Sequence, residues 1–329
     1  FNNRFEFTAE WYKNRSEDLL YGVPVPTQTG VANATVTMNA ASMDNSGFEF
    51  SATYRNHDHP FKYDVSANLS TLKNKVTSLG FGTKSYITGA YATYVGQEIG
   101  QFYGWVYEGI ARTQSDLDNH ATQQGANIGD CLYKDISGPN GEPDGVIDAY
   151  DQTVLGSGLP KVNFGLSAHM EYKNFDLSIS TYGVLNYHVS DDIYNSLNSC
   201  YGWGNKDVAM ADANRFSADG STYLSSVPRT YAANKATLAW NDLFSSRKIQ
   251  NAAYWKIANV ELGYNFPDQW FRGLVSGVRV YVSAQNLYTF TGYKGYNVDY
   301  AGGTFTPGYN FCSFPSARSF MAGLHFTVK

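Results

Sequence analysis

Apolar and polar residues alternate along much of the chain. Between Arg4 and Tyr12, Phe5, Phe7, Ala9 and Trp11 fall on one side, and Arg4, Glu6, Thr8 and Glu10 on the other. Phe48, Phe50, Ala52 and Tyr54 alternate with Glu49, Ser51, Thr53 and Arg55. A polar turn, Asn56-His-Asp-His-Pro60, leads into Phe61, Tyr63, Val65, Ala67 and Leu69. The same grammar returns in Val162, Phe164, Leu166, Ala168, Met170 and Tyr172, and after Lys173-Asn174 in Phe175, Leu177 and Ile179. It recurs in Val260, Leu262, Tyr264 and Phe266, in Val278, Val280, Val282 and Ala284, and in Phe320, Ala322, Leu324, Phe326 and Val328. A period of two puts successive side chains on opposite faces, so each segment predicts a half-apolar strand, roughly eight to ten in all.

An antiparallel all-β fold follows, and two architectures satisfy it: a secreted sandwich whose apolar rows form a core, or a barrel whose apolar rows face lipid. Strand length favours the barrel, because a tilted strand needs about ten residues to cross a bilayer and these segments reach that. So do the connections. They are very short at 56–60 and 173–174 and very long at 95–160, 183–250 and 292–316, as in outer-membrane barrels with short turns at one rim and long loops at the other. Apolar rows that end in Trp11, Tyr54, Tyr172 and Phe266 predict an interfacial girdle.

Composition agrees. Of 329 residues, 16% are aromatic and only 16% charged, against roughly a quarter in soluble domains. A formal net charge of −5 without a basic stripe excludes a nucleic-acid footprint. Cys131, Cys200 and Cys312 lack the spacing of a zinc site or a disulfide framework. No apolar run reaches the ~20 residues of a membrane-spanning helix. The first residues show no leader-like charge and apolar run and begin within a strand pattern, from which an upstream segment is expected.

Several motifs carry a more specific signal in their order. Leu19-Leu-Tyr-Gly-Val-Pro-Val-Pro-Thr-Gln-Thr-Gly30 is read as a loop and Asn45-Ser-Gly-Phe-Glu-Phe50 as a strand entry. Ile99-Gly-Gln-Phe-Tyr-Gly-Trp-Val-Tyr-Glu-Gly-Ile110, Gly129-Asp130, Tyr133-Lys134-Asp135 and Asp144-Gly-Val-Ile-Asp148 follow. Gln285-Asn-Leu-Tyr-Thr-Phe-Thr-Gly-Tyr293 and Phe314-Pro-Ser-Ala-Arg-Ser-Phe320 complete the series. Together they resemble the C-terminal region of SusC-like TonB-dependent transporters of the Bacteroidetes outer membrane. The resemblance implies the C-terminal part of a 22-stranded transmembrane β-barrel, with the plug domain and TonB contact supplied by an N-terminal region outside these residues. It also implies a SusD-like surface lipoprotein as partner, and import of an oligosaccharide or a peptide. Under half of such a barrel would be present, and its open edges would need the remaining strands. The last strand departs from the family in ending Phe326-Thr-Val-Lys329 rather than on an aromatic, which implies a displaced assembly signal or an altered terminus.

Two groups of residues are candidates for binding. Asp135, Ser137, Asp144, the carbonyl of Val146, Asp148 and Asp151 resemble an oxygen-rich calcium loop with Gly145 at its turn, although Gly138-Pro-Asn-Gly-Glu-Pro143 interrupts the ligand spacing. The alternative is an acidic Gly/Pro-rich turn without metal. Trp105, Tyr107, Tyr201, Trp203, Tyr223 and Trp240 lie in the long loops, where rings stack on sugars, contact a lid protein or form loop cores. Asp191-Asp192 reads as a charged loop tip rather than a glycosidase pair. No HExxH spacing, G-x-S-x-G elbow or P-loop is present, so no enzyme is expected and no cofactor is required beyond the candidate calcium. A secreted carbohydrate-binding sandwich and a soluble glycoside hydrolase stay as alternatives.

Overall fold

The computed structural model describes residues 4–25, 28, 30, 35–199, 205–208, 215–217, 222–230, 240–271, 275–299 and 302–328. Its main element is a nine-stranded antiparallel sheet. We number its strands β1 (Phe5–Pro24), β2 (Thr35–Asn56), β3 (Phe61–Thr71), β4 (Lys73–Ser78), β5 (Val162–Tyr172), β6 (Phe175–Leu185), β7 (Tyr254–Asn265), β8 (Val275–Thr291) and β9 (Ser319–Val328). They run in the order β1-β2-β3-β5-β6-β7-β8-β9, with β4 pairing on β2 beside β3.

The apolar rows decide between the two architectures. Phe7 is 58% exposed, Trp11 62%, Leu262 45% and Phe320 71%, and neighbouring strands carry the same face outward. In a sandwich these side chains would form the core. The buried apolar clusters lie instead among the loops and at the inner upper end of the wall. A continuous exposed apolar sheet face on strands of this length matches the lipid-facing surface of a membrane barrel. On β7 the outer row runs from Tyr264 to Trp255. Nine steps of about 3.3 Å, at a tilt of about 40°, project to roughly 23 Å, close to the height of an outer-membrane apolar band. Trp255 stacks on Phe290 of β8 at 5.3 Å at one end, and Phe175 meets Tyr264 edge-on at 4.8 Å at the other. Among the described residues no helix is long and apolar enough to cross a membrane.

The opposite face is polar and cross-linked. Arg55 donates to Glu6 at 3.1 Å, His57 pairs with Asp64 at 2.8 Å, and His169 bridges Ser178 at 2.9 Å and Glu171 at 3.2 Å. Arg279 on β8 reaches across β7, donating to Glu261 at 2.8 Å and to Asp176 on β6. In register, Arg55 stands opposite Asp64 and Lys62 opposite Glu171, so opposite charges lie side by side on the face that suits a water-lined lumen.

Three expectations change. Strands β1 and β2 have 20 and 22 residues, twice the bilayer length, so they continue beyond the apolar band as a projecting hairpin. Leu19–Pro24 is therefore strand rather than loop. The segment around Asn45–Phe50 lies in the middle of β2, where its partner changes from β3 to β4. The chain crosses there so closely that a Cβ on Gly47 would stand 1.9 Å from the carbonyl oxygen of Thr71, which accounts for glycine in that motif.

Short connections, 57–60 and 173–174, join strands at one rim, and long ones occupy the other. The first long insertion spans 79–161 rather than 95–160, since Ser85–Thr88 and Tyr91–Tyr94 pair within it as part of a four-stranded sheet with Gln101–Gly104 and Thr153–Ser157. The others occupy 186–253 and 292–318.

Candidate functional site

The long loops fold onto one another, and the sequence motifs mark where they lock. In Ile99–Ile110, Phe102 is fully buried against Tyr91 and Phe244. Gly104 lies so close to the 186–253 loop that a Cβ would meet the Phe244 carbonyl oxygen at 2.2 Å, and Trp105 N donates to that same oxygen at 3.2 Å. The aspartate of Gly129-Asp130 is buried and held by Arg229, whose Nε lies 2.8 Å from Oδ1, and by the Asn241 amide at 2.9 Å. One carboxylate thereby ties the first long insertion to the second.

A second lock was not legible in the sequence. Asp191, read as part of a charged tip, is 2% exposed. It accepts hydrogen bonds from the Tyr293 hydroxyl and from Asn310 Nδ2 at 2.9 Å, and its other oxygen caps the helix Asp192–Leu197 through Tyr194 N at 2.7 Å. Burial, then the bond to Asp191, holds the Tyr293 phenol above its ordinary pKa, so it remains a donor. The same junction pairs His188–Asp191 with both Ile249–Asn251 and Tyr309–Asn310, joining the second and third insertions. The helix-capping position of Asp191 was the available signal, but its partners lie over 100 residues away.

The candidate aromatics separate into different roles. Trp240 is 4% exposed and sits in a loop core with Cys131, Tyr133 and Ile147, its indole N–H donating to the Gln124 carbonyl at 2.9 Å. Trp105 packs against the same core and donates to the Asp148 carbonyl at 3.0 Å. Both are building elements of the loops. Tyr223 lies beside Phe216 and under the Arg112 guanidinium, 5.8 Å from its ring centre. Tyr107 lines a cavity, described below. Tyr201 and Trp203 lie outside the described residues.

The acidic loop is held by its own backbone. Asp151, fully buried, accepts from Ile136 N at 2.8 Å, Ser137 N at 3.2 Å and Asp148 N at 2.8 Å. Asp135 accepts from Gly145 N at 2.7 Å, Asp144 from Val146 N at 3.0 Å, and Asp148 from Tyr150 N at 2.7 Å. Asp135 Oδ1 is buried without a hydrogen bond, yet among the described residues no group of three or more His, Cys, Asp or Glu side chains is placed to hold a metal ion. As placed, Asp135, Ser137, Asp144, Val146, Asp148 and Asp151 form a turn capped by its own backbone N–H groups.

What the loops do form is an open cavity of about 700 Å³. Tyr107 of the first insertion, Tyr194, Asp242, Arg247 and Lys248 of the second, and Lys294 of the third line it. An adjoining recess of about 340 Å³ shares Tyr194, Arg247 and Lys294. The first volume falls within the usual range of small-ligand sites.

No family model matches the chain. Among curated proteins it is 30% identical to TonB-dependent receptor P3 of Formosa agariphila, over 99% of this chain and 32% of that protein. It is 26% identical to TonB-dependent receptor SusC of Bacteroides thetaiotaomicron, over 98% of this chain and 30% of that protein. The chain thus spans about a third of the length of these relatives. The RagAB peptide transporter superposes with a TM-score of 0.77 at 21% identity, over 98% of this chain and 33% of that one. Over nearly its whole length the chain is SusC-like, and its fold is that of an outer-membrane transporter barrel.

Proposed function

We propose that this SusC-like chain forms the wall and outer loops of a TonB-dependent importer that takes up a nutrient oligomer, an oligosaccharide in preference to a peptide. The observation that carries the reading is the pairing of a lipid-facing wall, polar on its inner side, with interlocked loops that form an open, ligand-sized cavity at one rim. The cavity would receive the nutrient at the outer mouth, and the polar inner wall would let a hydrated ligand pass. Energy would come from TonB through the plug, and a SusD-like lipoprotein would cover the loops. The loops need such a partner less for their own folding, which Asp130 and Asp191 secure, than for closing the mouth over cargo.

Uptake of labelled oligosaccharides and peptides by cells carrying or lacking the full-length gene tests this. Loss of uptake of one class in the deletion strain, and in cells lacking TonB, is the expected result. Undiminished uptake of both classes in the deletion strain would remove the reading. Soluble reducing-sugar release by the purified protein would instead favour a hydrolase.

A further inference from the structure

The loop cavity has a charge that opposes the chain's own. The protein carries 29 acidic and 24 basic residues, yet the cavity is lined by Arg247, Lys248 and Lys294 against a single carboxylate, Asp242. Lys248 donates to the Asp242 carbonyl oxygen. Arg247 and Lys294 form no ion pair with a described residue, and both stand where the main cavity meets the adjoining recess. Tyr194 lines both spaces with them, with the Lys294 ammonium 5.9 Å from its ring centre. Among the described residues, two cations without an ion-pair partner and a single lining carboxylate leave a net positive potential on a concave wall that an anion would satisfy.

Much of the uncharged wall is polar and suits a hydrated, hydrogen-bonding ligand. Asn195 donates to Ser190 Oγ at 3.3 Å and to the Lys248 carbonyl at 3.5 Å, and Asn198 donates one amide hydrogen to the Tyr194 carbonyl at 2.8 Å. Their amide oxygens are left as acceptors for ligand O–H or N–H donors. Thr222, Ser225 and Ser226 line the same space. We propose that the cavity binds an acidic oligosaccharide, with Arg247 and Lys294 on its carboxylate or sulfate groups and the Tyr194 ring against a sugar face. This rests on the nutrient-import reading and specifies its cargo.

The test uses the full-length transporter with its partner lipoprotein in detergent. Trigalacturonate, maltotriose and a triaspartate peptide are titrated by calorimetry against wild type and the Arg247→Gln/Lys294→Gln double variant. Heat-modifiable gel mobility checks that each variant is folded. Trigalacturonate is expected to bind at least about tenfold more tightly than maltotriose, with the double variant losing about 10- to 100-fold for the acidic sugar and salt near ~0.5 M shrinking the preference. Equal affinity for the two sugars, or an acidic-sugar affinity that the folded double variant retains, would overturn the proposal. Triaspartate binding as tightly as trigalacturonate would overturn it too, by transferring the site to peptides. In each of those cases TonB-dependent uptake of a neutral sugar or of a peptide would leave the import reading intact, so the two can fail separately.

Discussion

Replacing Val260 with arginine places a charge close to the middle of the apolar band. Val260 lies on the outer row of β7, in register with Ile179 of β6 and Ala284 of β8. It is four residues from Tyr264 at one girdle and five from Trp255 at the other. With a rise of about 3.3 Å and a tilt of about 40°, it sits about 10 Å from the nearer girdle, almost at the midplane. An arginine there costs about 2–4 kcal/mol, whereas the same residue at Trp255, in the interface, costs about 0–1 kcal/mol from burial depth alone. At 1.4 kcal/mol per decade, the Val260→Arg cost amounts to roughly 30- to 700-fold in the folding equilibrium. Asn259→Arg, facing the lumen, should cost far less than Val260→Arg. The assay is reversible urea unfolding of the full-length protein in liposomes, followed by tryptophan fluorescence and heat-modifiable mobility. If this face met water, an arginine on it would change stability by no more than about 0.5 kcal/mol. A Val260→Arg cost that small, or equal to that of Asn259→Arg, would refute the lipid-facing assignment.

Four further outcomes follow from the loops and the strand crossing. Gly47→Ala should destabilise by about 1–3 kcal/mol, read as a lower urea midpoint, because its methyl would collide with the Thr71 backbone. Arg229→Leu leaves Asp130 buried without its cation. The cost should be about 2 kcal/mol, below that of a fully enclosed pair because Arg229 is 29% exposed, and hydrogen exchange should rise around both 127–133 and 240–242. Asp191→Ala strips the acceptor from Tyr293, Asn310 and Tyr194 N, so proteolysis should accelerate in the second and third insertions together while the wall stays protected. In a Cys200→Ser background a native-state maleimide should label the exposed Cys312 and not the buried Cys131, whereas labelling of both would show that the loop core opens readily.

Local chemistry made the wall legible. A two-residue period assigns each strand face without reference to its neighbours, and polar turns such as Lys173-Asn174 mark hairpins, so β3, β5 and β9 could be placed within a few residues and about half of β6 and β7 was legible. The long β1–β2 hairpin was harder. Beyond Trp11 its faces no longer separate lipid from water: Tyr21 and Ala41 turn into a core shared with Val76, Leu79 and Ile99. The alternation fades there because the outside environment changes from hydrocarbon to folded loop. The motifs were visible as words, but their meaning was geometric. The glycines at 47 and 104 mark close backbone crossings by residues 24 and 140 positions away.

The sequence alone therefore determined the antiparallel strands, the division of each into an apolar and a polar face, the loop asymmetry and the SusC-like resemblance. These are properties of short segments, set by period and composition. The tertiary structure decided which face meets lipid, that Trp105 and Trp240 build loops, that Asp191 is a buried lock and that the acidic turn caps itself. It also gathered Arg247, Lys294 and Tyr194 around one cavity. Burial and cation clustering depend on contacts between residues tens to more than a hundred positions apart, and no local pattern records which distant segment will supply a partner.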